Sequence, residues 1–203
     1  ISGSLKEVTF EVYALEDIKA ADGESEDYYK KDDLIATITT DETGVAKLTD
    51  LPLGKYYVKE KETANGYVLD GTAREIDLTY RDQDTAEVTY SSDWQNNRQK
   101  AEVKVLKKEK DSDRVLEGAV FALCNKEDIV NANGDVILKA DTVIEEQATD
   151  KEGKLTFTAD LPIGYTYYVK ETSPAPGFAT TDQVQEFTFE YDGADKETLS
   201  YEF

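Results

Sequence analysis

Short runs of alternating apolar and polar residues dominate the chain. Val8 to Tyr13, Leu34 to Thr39, Ala46 to Thr49, Tyr56 to Glu60, Arg74 to Tyr80 and Ala86 to Tyr90 are rich in Val, Ile, Thr and Tyr and are separated by turn residues. That pattern predicts β-strands. Ala101 to Lys107, Ala119 to Leu123, Leu155 to Thr158, Tyr167 to Glu171, Glu186 to Tyr191 and Thr198 to Phe203 extend the series. Asp41-Glu-Thr-Gly44 and Asp150-Lys-Glu-Gly153 read as tight turns between neighbouring strands. No segment sustains a 3.6-residue apolar period, although Asp17 to Asp33 and Asp128 to Asp141 have room for a helical turn inside a loop.

The strand series runs twice. Phe10, Glu16-Asp17-Ile18, Tyr56 to Glu60, Gly66 and Tyr80 return as Phe121, Glu127-Asp128-Ile129, Tyr167 to Glu171, Gly177 and Tyr191. A repeat of about 100 residues is long enough to bury a core of its own. The prediction is therefore all-β, two tandem Ig-like β-sandwich domains over 1–99 and 100–203. The polar stretch from Asn97 to Lys100 separates them.

Composition removes several function classes. The 203 residues are 39% apolar and 33% charged, which describes a folded pair of domains. A net charge of −21 repels phosphates, so nucleic acid is not an expected partner, nor is an anionic membrane surface. No apolar run approaches 18 residues, so no membrane insertion is expected in this segment. With no Met, the chain is expected to be part of something longer. With no His, the usual activation of a Ser or Cys nucleophile is missing, which argues against an enzyme acting on an external substrate. The lone Cys124 cannot form an internal disulfide and is expected in a strand with a structural role. No pattern calls for a cofactor. The oxygen-rich loops Asp22 to Asp27 and Asn131 to Asp135 lack the spacing of an EF-hand and are read as turns, not metal sites.

Alternation also directs polar groups inward. In Tyr167-Tyr-Val-Lys-Glu171, Glu171 shares a face with Val169, and Glu60 shares one with Val58. Lys107 aligns with Val103 and Val105, and Asn96 with Trp94. Burying such groups unpaired costs several kcal/mol. Lys, Glu and Asn are the ingredients of a spontaneous isopeptide bond, in which a neutral lysine amine attacks an asparagine side-chain carbonyl and ammonia leaves. Removal from water favours the neutral forms of amines and carboxyls, and a neutral carboxyl can shuttle protons. The other reading is an ordinary salt bridge between Lys107 and Glu171 at strand ends.

Leu116-Glu-Gly-Ala-Val-Phe121, preceded by Lys107, resembles the opening strands of the collagen-adhesin B-type domains, also termed SpaA-like or prealbumin-like, of Gram-positive surface proteins and pilins. Leu161-Pro-Ile-Gly164, Tyr168-Val-Lys-Glu171 and Pro174-Ala-Pro-Gly-Phe178 resemble the family's later motifs, as do Leu51-Pro-Leu-Gly54, Tyr57 to Glu60 and Ala64-Asn-Gly-Tyr67. Trp94-Gln-Asn96 resembles the closing strand. The resemblance implies prealbumin-like sandwiches in the stalk of a cell-wall-anchored extracellular adhesin or pilin. It implies that Lys107 is a nucleophile, Glu60 and Glu171 are catalytic acids and Asn96 is an acceptor, with Asn97 on the opposite face. The partners implied are neighbouring domains of the same protein. An adhesive module that binds a host protein through the loops at 17–33 and 126–145 is the alternative.

Each copy departs from the full pattern. Aligning Phe10 with Phe121 places the first copy's lysine several residues before Ile1. Lys6 aligns with Glu117 and is no substitute. Leu199, Tyr201 and Phe203 share the face on which residue 205 is expected to carry the second asparagine.

Overall fold

The computed structural model describes residues 5–131 and 133–203, and the chain divides into two compact units between Arg98 and Gln99. In the first, β1 (Thr9–Ala14), β2 (Leu34–Thr39), β3 (Lys55–Glu62) and β4 (Arg74–Asp77) form one antiparallel sheet in the order β2-β1-β3-β4. Alternation does the sorting: Phe10, Val12 and Ala14 of β1 and Tyr56 and Val58 of β3 enter the core, while their neighbours face outward.

The second unit contains two such layers. β5 (Lys100–Leu106), β10 (Lys154–Phe157) and β13 (Thr198–Glu202) form a sheet ordered β10-β5-β13, in which β13 runs parallel to β5. β6 (Val120–Asn125), β9 (Val143–Ala148), β11 (Tyr165–Ser173) and β12 (Val184–Phe189) form the other, ordered β12-β11-β6-β9. Val103, Val105, Leu155 and Phe157 meet Phe121, Leu123, Tyr167, Val169, Phe187 and Phe189 in one core, a sandwich of two sheets. Cys124 is buried on β6, and burial pushes its thiol pKa up.

The repeat extends to single hydrogen bonds. The Thr40 hydroxyl accepts from Val8 N and donates to Leu5 O, and the Thr149 hydroxyl accepts from Ala119 N and donates to Leu116 O. The Tyr56 hydroxyl donates to Pro52 O, and that of Tyr167 to Pro162 O.

Two predicted strands of the first unit do not form. Residues 46–49 and 86–90 contain no strand, whereas the equivalents of both in the second unit, β10 and β13, pair on β5. No counterpart of β5 occurs among the described residues of the first unit, so neither segment has a neighbour to complete a ladder. Ala46 and Leu48 pack against the core without one. The helical turns allowed for in the two long loops are absent as well, and no helix occurs among the described residues. In the first loop Ile18 N donates to Tyr29 O and Tyr28 N donates to Ile18 O, and in the second β7 (Ile129–Val130) and β8 (Val136–Leu138) pair as a hairpin, which occupies the donors a helical turn would use.

Candidate functional site

Two buried carboxyls occupy equivalent places. Glu60 of β3 pairs across the sheet with Phe10 of β1, and Glu171 of β11 pairs with Phe121 of β6, each beside an irregularity in register. They are 3% and 6% exposed. Each Oε2 accepts a backbone N–H from the segment that follows its strand, Asp70 N at 2.7 Å and Thr181 N at 2.8 Å. These two donors are absent from any side-chain motif, and only the constant offset of the repeat links them.

In the first unit the carboxyl faces an amide. Asn96 Nδ2 lies 2.7 Å from both Glu60 Oε1 and Oε2 and also donates to Val68 O at 3.1 Å. Asn97 is exposed, and its carbonyl accepts from Val68 N at 2.8 Å. In the second unit the carboxyl faces an amine. Lys107 Nζ lies 3.2 Å from Glu171 Oε1, with the lysine side chain 20% exposed and that of Glu171 fully enclosed. Oε1 accepts no hydrogen bond, so the contact is an ion pair made off the favoured direction. Lys107 sits just past β5, where its N–H donates to Gly153 O and its carbonyl accepts from Leu116 N. Gly153 has φ +72°, and a Cβ there would lie 2.7 Å from Lys107 O, so the approach of these backbones requires glycine.

The fold thus brings together Lys107 with Glu171 and Asn96 with Glu60. The sequence reading missed Arg74. Its guanidinium lies 3.8 Å from the centre of the Trp94 ring and donates to Asp93 O at 2.6 Å, while Phe10 meets the same indole edge-on at 4.9 Å. Arg74 is equivalent to Gln185 by strand register, so the repeat carries no signal for it.

The acidic loops have local uses for their oxygens. Asp22 Oδ1 accepts from Glu24 N and Ser25 N, and Asn131 Oδ1 from Asn133 N and Asp135 N. Among the described residues no cluster of His, Cys, Asp or Glu is arranged to hold a metal, and no helix is long and apolar enough to cross a membrane.

No curated protein matches the sequence. Among solved structures, the Bacillus anthracis TIE protein matches 98% of this chain at 25% identity and a TM-score of 0.62, and this chain spans 31% of its length. The shaft pilin SpaA from Lactobacillus rhamnosus GG matches 98% of this chain and 87% of its own, at 17% identity and a TM-score of 0.35. The SpaA model, a prealbumin-like fold domain, matches residues 2–94 and again 101–202. With both halves matched, the chain belongs to the SpaA family of prealbumin-like fold domains, in two tandem copies.

Proposed function

We propose that the chain is a stalk segment of a Gram-positive cell-surface adhesin or pilin, stabilised in the parent protein by autocatalytic Lys–Asn isopeptide bonds. It works as a mechanical element between neighbouring domains on the cell wall and turns over no external substrate. The carrying observation is that two equivalent buried carboxyls hold complementary halves of one reaction, the amine of Lys107 on Glu171 and the amide of Asn96 on Glu60. A lysine amine and an asparagine amide on one such carboxyl make a complete triad within a domain. Lys107 Nζ attacks the asparagine Cγ, the new N–C bond forms as the bond to Nδ2 breaks, and the glutamate carries a proton from the amine to the departing ammonia. The Glu60 contact is with Nδ2, the atom that leaves. The bond closes a loop of about 100 residues, which in the chain-entropy account of disulfides stabilises by about 4.7 kcal/mol, and it carries load past the fold between them.

The parallel register supports the second domain's bond. Glu202 pairs with Lys104, so continuing β13 sets residue 205 beside Lys107. A version extended past Phe203 with asparagine at 205 is expected to lose the mass of one ammonia and gain resistance to protease. Lys107→Ala or Glu171→Ala in that version should abolish both effects. A folded extended protein with unmodified mass would leave Lys107 an ordinary ion-pairing residue.

Adhesion to a host protein has one observation in its favour: Val130, Val136, Ile137 and Val143 are exposed on and beside the β7–β8 hairpin of the 126–145 loop. Replacing that loop with a short turn should abolish host-protein capture if it is the contact, and should leave capture unchanged if the segment is purely a stalk.

A further inference from the structure

In the second unit the closing strand β13 is held by its ladder with β5. In the first, residues 86–97 form no strand, yet Asn96 is placed on Glu60 with both carboxylate oxygens in reach. Something other than a ladder must hold this segment. Downstream of Asn96 the hold is Val68 N donating to Asn97 O and the bridge between Tyr67 and Arg98. Upstream it is Arg74. The guanidinium lies over the Trp94 ring, donates to Asp93 O at 2.6 Å and to Ser92 Oγ at 3.4 Å, and pairs with the Asp70 carboxylate at 3.6 Å. Asp70 is also the residue whose N–H donates to Glu60. One side chain therefore ties the strand edge, the acceptor segment and the segment that holds the carboxyl.

We propose that Arg74 is a positioning residue for the Asn96 amide, clamping residues 92–94 to the sheet in place of the absent strand pairing so that Nδ2 stays on Glu60. The proposal rests on the reading of Asn96 as acceptor for its meaning, but the clamp itself is measurable without any lysine. A flat, five-donor guanidinium suits the task, because it can stack on the indole and donate in its own plane to the carbonyl and the hydroxyl at once. The second unit is the internal control. There the residue equivalent to Arg74 is Gln185, and the closing strand has its ladder.

The test uses the whole chain, with two readouts that belong to this site. Trp94 is the sole tryptophan, so acrylamide quenching of its fluorescence reports the clamp directly, and the side-chain NH2 signals of Asn96 report the amide. Loss of a partly exposed cation–π contact with its hydrogen bonds shifts an opening equilibrium by about tenfold. Arg74→Ala is expected to raise Asn96 side-chain exchange by about that factor and to make Trp94 more quenchable, with the Tyr168 and Phe187 signals of the second unit unmoved. Arg74→Lys, which keeps the charge and loses the planar fork, should fall between the two. If Arg74→Ala does not fold, Arg74→Lys decides alone: faster Asn96 exchange upholds the clamp, and exchange equal to that of the unaltered chain overturns it. Unchanged exchange in a folded Arg74→Ala protein overturns it equally.

Discussion

A carboxyl is tolerated in a protein core only when its oxygens find donors. Glu60 meets that condition with three hydrogen bonds, two from the Asn96 amide and one from Asp70 N. Removing the acceptor leaves those donors facing a cavity lined by Phe10 and Val58, and an unsatisfied buried group costs about 1–3 kcal/mol. Glu60→Ala is therefore expected to lower the stability of the first unit by about 3 kcal/mol, measured by the denaturant midpoint of Trp94 fluorescence, with no change in slope. An unchanged midpoint would show that the amide and the N–H find water instead. The inward aim of Glu60 and Glu171 was legible because the strand period of two is strict, and it carries one residue past β5 to Lys107, whereas Asn96 follows the same alternation in a segment with no strand pairing to enforce it. Arg74 was not legible, because its role comes from stacking on a residue twenty positions away, for which no local period exists.

Strands need neighbours, and that condition accounts for the elements the sequence pattern misassigned. Residues 46–49 have as good a pattern as β10, and 86–90 as good a pattern as β13, but propensity supplies no hydrogen-bond partner. Between the two sheets of the second unit the connection is more local. Glu145 of β9 accepts at Oε2 from Thr158 N and Ala159 N and at Oε1 from the Thr158 hydroxyl, stitching β9 of one sheet to the end of β10 in the other. Burial pushes this carboxyl's pKa up, but the bonds from Gln147, Ala159 and Thr158 outweigh burial and hold it below its usual value. A carboxyl lowered in the folded state stabilises above its unfolded pKa of about 4.3, and the contribution disappears as pH falls through the folded value. Glu145→Gln should therefore destabilise the second unit near neutral pH and lose less stability than the unaltered chain on acidification from about pH 4.3 downward. Parallel acid-unfolding curves for the two proteins would show that this carboxyl does not titrate with folding.

At the scale of the whole molecule the two copies share a plan and differ in how well they close. Leu155, Phe157, Leu161, Phe187 and Phe189 are buried in the second unit, whereas their equivalents Ala46, Leu48, Leu51, Ile76 and Leu78 are only partly buried in the first. Apolar surface left in contact with water contributes nothing at about 25 cal/mol per Å², so the first unit retains a smaller share of its hydrophobic stabilisation. The repeat in the sequence announced two domains, but the inequality between them depends on which strands each copy has available to pair. Unfolding is therefore expected in two steps, the first unit melting below the second. Trp94 belongs to the first unit and Cys124 to the second, so tryptophan emission should follow the lower transition and thiol labelling the upper one. Hydrogen exchange should be fastest at 46–49 and 86–90, where no ladder protects the amides, and slow through β5, β6 and β11. Coincident Trp94 and Cys124 transitions in calorimetry-matched conditions would mean that the two units unfold as one cooperative body, and a Trp94 transition above that of Cys124 would mean that the single sheet of the first unit is the stronger fold.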